Sequence, residues 1–126
     1  MALHTVSGMT IGGISDVVTL ALQQAINGLD ARQRAISSNV ANVETPGYVA
    51  KEVKFEDSLR SAVEAGSPSS ASITSVDSTA DANAFGNNVK MDFELLSSAE
   101  NVMKQKLVVQ ALNAKYQLLR SAIGPS

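Results

Sequence analysis

A seam of apolar residues that ends at a turn constrains this chain more than any other feature. Leu22, Ile26, Leu29, Ile36, Val40 and Val43 follow one another in alternating four- and three-residue steps, with Gln33 in the polar slot. That spacing is the heptad repeat of helices that pack side by side. It predicts a helix over residues 15–43, with Ser15 placed to cap it and Asp16 at the positive end of its dipole. Thr45-Pro46-Gly47-Tyr48 then cuts it off. Pro46 holds φ near −65° at the second position of a type II turn, and Gly47 takes the positive φ required at the third. Thr45, preceding a proline, is pushed out of helical geometry. Asn39 and Asn42 are placed to bond the last helical carbonyls with their side-chain amides. Gly28 sits mid-helix at a cost of about 1 kcal/mol relative to Ala, either to admit a close helix neighbour or as a tolerated defect.

A second long helix is predicted over residues 90–123, with Asn88 as its N-cap, Asp92 and Glu94 in its first turn, Lys115 and Arg120 towards its end, and Gly124-Pro125 as its stop. Its apolar residues cover several faces. Leu96, Met103, Leu107, Ala111, Ala114 and Leu118 form one stripe, Val108, Leu112 and Leu119 a second, and Leu95, Val102, Val109, Tyr116 and Ile123 a third. A hairpin of two helices buries one stripe of each, so the rest predicts packing against neighbouring copies or partners. The expected helix interface is Leu22, Ile26, Leu29, Ile36 and Val40 on the first helix and the Leu96–Leu118 stripe on the second. The apolar content of 44% contains only 4% aromatic residues, a mixture suited to helix packing.

Between the helices, residues 44–89 read as the turn, a short extended piece (YVAKEVKF), a short helix and a Ser-rich loop. In the short helix Phe55, Leu59 and Val63 share one face, and Gly66 is a fitting C-cap. From Ser67 to Asn88 the Ser-, Asn- and Asp-rich composition reads as a loop or linker. Residues 1–14 are expected to be a flexible N-terminus and 124–126 a tail. The predicted class is mainly α: long N- and C-terminal helices packing as an antiparallel, coiled-coil-like pair, with a loop-rich middle segment.

Little chemistry is encoded. The 126 residues contain no Cys, which removes disulfides, thiolate catalysis and most zinc sites. The single histidine, His4, stands in a Gly- and Ser-rich terminal segment without a partner. Glu56 and Asp57 read as a solvated helix face beside Lys54 and Arg60, and no phosphate-binding or nucleophile-elbow motif is present. No catalytic residue, metal site or cofactor is predicted, and no small-molecule substrate. A net charge of −2 argues against nucleic acid as a partner. The N-terminus lacks the pattern of a secretory signal, and no apolar run is long enough to span a membrane. Charge is unevenly placed: residues 1–50 carry two basic and three acidic side chains, residues 51–94 four and eight, and residues 95–126 four and one. The basic end and the acidic middle suggest pairing within or between subunits.

The stretch SSNVANVETPGYVAKEVKFEDSL resembles the N-terminal motif of the flagellar axial proteins, which make the rod, hook and filament junctions. In that family a long helix ends in A-N-x-x-T-P-G-Y, which Ala41, Asn42, Thr45, Pro46, Gly47 and Tyr48 match, Asn39 belonging to the same segment. GNNVKMDFELLSSAEN and LNAKYQLLRSAI strengthen the likeness, which points to one of the two sister proteins of the proximal rod. The resemblance implies a structural, non-enzymatic subunit that assembles helically with copies of itself and other rod proteins, contacting the rod-to-ring adaptor and the membrane-embedded basal ring. It implies residence in the periplasm-spanning rod and export through the flagellar type III gate without a cleaved signal, with Phe55 and Leu59 fitting the gate's aromatic recognition motif. The alternative is a soluble helical adaptor or chaperone that binds a partner helix.

Overall fold

The structure, a computed structural model, describes residues 11–123. His4, the Gly124-Pro125 stop and most of the expected flexible N-terminus lie outside the described residues. The elements in chain order are α1 (Ile11–Ala41), β1 (Lys51–Lys54), α2 (Glu56–Glu64), a 3₁₀ turn (Pro68–Ser70), β2 (Thr74–Asp77) and α3 (Met91–Ile123). The fold is mainly α, with α1 and α3 side by side and antiparallel: Asn39 meets Glu94, Gln33 meets Ser98, Asp30 meets Gln105 and Gln23 meets Tyr116.

Several boundaries differ from the expected ones. α1 starts at Ile11, so Ser15 lies inside the helix and does not cap it. α3 starts at Met91, and Asn88 is not its cap, because its side chain bonds elsewhere. Phe55 is the residue before α2, not its first turn. α2 ends in a Schellman motif, with Gly66 at φ 79° just past the cap, Gly66 N–H donating to the Val63 carbonyl (3.0 Å) and Ser67 N–H to that of Ala62 (2.9 Å).

Residues 67–88 are not a linker. β2 pairs with β1 antiparallel, Lys51 opposite Asp77 and Lys54 opposite Thr74. The Lys51 ammonium and the Asp77 carboxylate pair across the ladder. The low apolar content that suggested disorder has a different cause: every residue of β2 is exposed, so the strand is held by its backbone ladder and does not need a core face.

The core sits where β1 and α2 meet α1. Leu29, Val53 and Phe55 form its centre, with Ala35, Leu59, Ile73 and Val108 packed around them. Phe55 lies across Gly28, where an added Cβ would come within 2.5–2.7 Å of ring carbons. Gly28 therefore does admit a close neighbour, but the neighbour is an aromatic ring from the β1–α2 junction and not another helix. Arg32, one turn along, caps this ring with its guanidinium 4.8 Å from the centroid. It also donates to both Glu56 carboxylate oxygens (2.6 and 2.7 Å) and to the Val53 carbonyl (2.8 Å). One side chain thus joins α1 to the end of β1 and the start of α2.

Arg32 holds the Glu56 carboxyl at about 2, against an ordinary 4.5, overcoming the opposing effect of burial. A carboxyl whose pKa falls on folding adds stability above its unfolded value and loses it as pH falls towards the folded value. The wild-type chain is therefore expected to lose more stability than Glu56→Gln between pH 4.5 and pH 2. Because Glu56 is partly exposed, the difference should be about 1 kcal/mol, read as the change in urea midpoint of the two proteins over that range.

The two long helices meet through an unusual surface. Ile36 and Leu29 on α1 are buried, Leu22, Ile26 and Val40 are half-buried. Opposite them, α3 presents Glu94, Ser98, Asn101, Gln105 and Val108. The stripe expected to form the helix interface does not face α1: Leu96, Met103, Leu107 and Leu118 are all exposed, as are Ala111 and Ala114. The inward face is taken instead by residues whose amides and hydroxyls bond across the gap. Asn101, 1% exposed, donates to the Leu29 carbonyl (2.9 Å) and to Gln33 (3.0 Å), while its own Oδ1 has no partner among the described residues. A buried amide in such a seam costs stability and sets the register of the two helices.

Candidate functional site

The turn that ends α1 is densely hydrogen-bonded. Asn42 N–H and Asn42 Nδ2 both donate to the Ser38 carbonyl (3.1 and 2.8 Å), closing the last turn of the helix. Thr45 Oγ1 donates to Asn42 Oδ1 (3.0 Å). Tyr48 N–H donates to the Thr45 carbonyl (3.2 Å) and Gly47 takes φ 75°, the bond and the sign that a type II turn requires. Thr45, Pro46 and Gly47 are exposed, and a Cβ on Gly47 would meet nothing within 4 Å. The tip is rigid and open to solvent.

A second loop, just before α3, locks the turn from behind. Asn87 Nδ2 donates to the carbonyls of Asn42 (2.8 Å) and Thr45 (2.9 Å), while its Oδ1 accepts from Val89 N–H (2.8 Å). Gly47 N–H donates to the Phe85 carbonyl (2.8 Å). Gly86, at φ 78°, passes so close that a Cβ there would lie 3.4 Å from the Gly47 Cα. Asn88 accepts from Ala50 N–H (2.7 Å) and donates to the Ser78 and Ala80 carbonyls (3.1 Å each). Asn83 Oδ1 accepts from Phe85 and Asn87 N–H (2.9 and 3.1 Å), shaping the loop itself.

Asn39 completes the arrangement and does something other than cap the helix. It is 1% exposed. Its Nδ2 donates to the Lys51 carbonyl (2.9 Å) and to Glu94 Oε1 (3.0 Å); its Oδ1 accepts from Lys51 N–H (2.9 Å) and from the Tyr48 hydroxyl (3.1 Å). One amide therefore ties α1, the turn, β1 and α3 together. Burial pushes the Glu94 carboxyl above its ordinary value, the Asn39 hydrogen bond opposes this, and nearby Glu52 adds to the upward push.

The other expected site residues lie apart from this junction. Phe55 and Leu59 sit in and beside the core, and Phe55 is 4% exposed. Glu56 is tied to Arg32, and Asp57 pairs with Arg60 at 3.3 Å on the surface. The roles of Asn87, Asn88, Arg32, Glu94 and Asn101 do not follow from the sequence pattern. Three asparagines around Gly86 were the available signal, since Asn both turns the chain and satisfies backbone groups with its side chain. Among the described residues no group of three or more His, Cys, Asp or Glu could hold a metal ion, and no helix is long and apolar enough to cross a membrane.

Known proteins resemble this chain along the first helix and its turn, and one of them along most of its length. The family model described as flagella basal body rod protein matches residues 20–48, the part of α1 that carries the heptads together with the turn. The flagellar basal body rod protein FlgB of Bacillus subtilis (strain 168) is 32% identical over 117 residues, which cover 81% of this chain and 89% of that protein. FlgB of Yersinia enterocolitica is 36% identical over 52 residues, 41% of this chain and 38% of that protein. FlgB of Escherichia coli (strain K12) is 36% identical over 44 residues, 35% and 32% of the two chains. With the long relative matched nearly end to end and the shorter likenesses agreeing with it, the chain belongs to the flagellar basal body rod proteins.

Proposed function

We propose that the chain is a structural subunit of the proximal rod, assembling helically with its own copies and other rod proteins to transmit torque and to line the export channel. The observation that carries this reading is the outward apolar face of α3. A helix that turns its amides towards its own partner and its leucines towards solvent is built for neighbours. The rigid junction supports the same reading, since it ends α1 at a defined residue and presents Thr45, Pro46 and Gly47 at an open tip. In this reading the rod-to-ring adaptor and the membrane-embedded basal ring are further partners. Export runs through the flagellar type III gate without a cleaved signal, and Phe55 with Leu59 serves as the recognition element. Phe55 is buried in the folded chain, so the gate would read it only before folding.

Gly47→Leu tests the reading. A Cβ there meets nothing within 4 Å, so the cost to the monomer is mainly that of the positive φ, about 1–2 kcal/mol. A strain carrying this variant is expected to produce normal amounts of protein and to lose swimming, with basal bodies that stop before the distal rod. Full motility with complete rods would return the turn to the role of a plain helix stop.

A further inference from the structure

A cleft of about 320 Å³ opens between α1, β1 and the first half of α3. Four cations line it, and each already has an acid: Arg32 holds Glu56 (2.6 Å), Lys51 holds Asp77, Lys54 meets Glu52 (3.4 Å) and Lys104 meets Glu56 (3.8 Å). Two further carboxyls on its wall, Glu94 and Glu100, form no ion pair among the described residues. Glu94 is buried and uses one oxygen, Oε1, to accept from the Asn39 amide, while Glu100 is exposed. Beside them Asn101 lines the cleft. It gives its amide hydrogens to α1, at the Leu29 carbonyl and Gln33, and keeps a buried Oδ1 with no donor among the described residues. Buried acceptors are normally paired, so an unpaired one marks a place where a donor is missing. Phe93, 51% exposed, adds an aromatic surface to the same wall.

We infer that this cleft takes the guanidinium of one arginine side chain presented by a different protein of the rod; the site stands on its own geometry, and only the source of its occupant rests on the rod-subunit reading. A guanidinium supplies what the cleft lacks. It is always charged, and its planar fork of N–H donors can serve several acceptors at once, here the second oxygen of Glu94, the Glu100 carboxylate and Asn101 Oδ1. It is also weakly hydrated and stacks on aromatic rings such as Phe93. A lysine ammonium is a strongly hydrated point charge and matches this spread of acceptors less well. Among the described residues no group of three or more His, Cys, Asp or Glu could hold a metal ion in its place. Burial pushes the Glu94 carboxyl above its ordinary value, against the Asn39 hydrogen bond and with Glu52 adding to the push, as expected of a buried carboxyl without a cation. The net charge of −2 favours a basic partner over a second copy of the chain.

N-acetyl-arginine amide, titrated into the full chain and followed by NMR, tests the site. It is expected to shift the resonances of Glu94, Glu100 and Asn101 saturably. N-acetyl-citrulline amide keeps the shape and loses the charge, and should bind about tenfold or more weakly. Glu100→Gln should weaken the arginine ligand by about threefold or more. Glu64→Gln removes the same charge from the exposed end of α2 and should leave the affinity unchanged. Equal binding of the two ligands overturns the inference, as does an affinity indifferent to Glu100→Gln or a set of shifts scattered over the other surface carboxyls. The ligand should leave the sedimentation of the chain unaltered; if it breaks up self-associated chains, the arginine belongs to a second copy and its assignment to a different protein is overturned. The rod-subunit reading fails on a separate result, complete rods in a strain lacking the gene, which the titration does not touch.

Discussion

An Asn39→Ala variant is expected to lose about 3–5 kcal/mol of stability, the cost of breaking a buried polar network by removing one member. The side chain makes four hydrogen bonds from a position that water does not reach. Its loss strands the Lys51 N–H and carbonyl, on the edge of β1 that faces α1, and the Glu94 carboxyl, which is buried. Each orphaned neutral group costs about 1–3 kcal/mol and a charged one more, but a water molecule entering the vacated space recovers part of the total. Glu94 can also relieve itself by taking up a proton, since burial already favours its neutral form. With the opposing Asn39 hydrogen bond gone, its pKa rises further above the unfolded value. Stability tied to the protonated form is present at low pH and lost as pH rises through the folded value, so the deficit of the variant should be larger at pH 7 than at pH 5. Urea denaturation of the full chain at the two pH values measures both quantities. A loss under about 1 kcal/mol, or no dependence on pH, would mean that the four bonds contribute little net of water.

Gly28→Ala reverses the sign that helix propensity assigns to it. Replacing a mid-helix glycine by alanine normally stabilises by about 1 kcal/mol. Here the new methyl would fall 2.5 Å from Phe55 Cδ1 and 2.6 Å from Cγ. Neither atom can swing away freely: the ring is buried with Leu29 and Val53 on the core side and lies under the Arg32 guanidinium on the other. Displacing it means repacking a full core, at a cost of about 1–3 kcal/mol after the propensity gain is subtracted. Phe55→Leu should absorb much of that cost in the double variant, so the two substitutions together should be less damaging than their separate effects added. Thermal unfolding of the four proteins decides it. A Gly28→Ala variant that melts above the wild type would show that the ring moves aside easily and that Gly28 is a tolerated defect after all.

The legible parts of this protein share one property: a few neighbouring residues decide them. The heptad steps from Leu22 to Val43 and the Pro46-Gly47 pair are complete statements in themselves, and α1 and its turn follow from them. Gly66 closes α2 for the same reason. The illegible parts depend on residues far along the chain. Nothing near Gly28 says that a ring from position 55 will lie on it, and nothing near Asn39 says that a strand backbone and a carboxylate from α3 will meet there. Residues 67–88 read as a linker because hydropathy registers order only where an apolar core provides it. The loop is ordered by Asn83, Asn87 and Asn88 bonding to backbone groups and by a ladder to β1, and such bonds leave no hydropathy signal.

The sequence by itself determined the two long helices, the turn that cuts the first one off, and the presence of more apolar surface than one hairpin can bury; the first helix ends at Ala41, two residues short of the expected Val43. Only the tertiary structure decided which face of α3 turns inward. Period and hydropathy rank the Leu96–Leu118 stripe as the buried one, because burial of leucine is favourable wherever it occurs. Once α1, β1 and the second loop are docked, the positions facing α3 are those of Gln23, Asp30, Gln33, the Leu29 carbonyl and Asn39. Against the buried ones among them, the Leu29 carbonyl and the Asn39 amide, an apolar stripe would leave donors and acceptors unpaired, at a cost of about 1–3 kcal/mol each. The polar face of α3 satisfies them, and the apolar face is left to the neighbours.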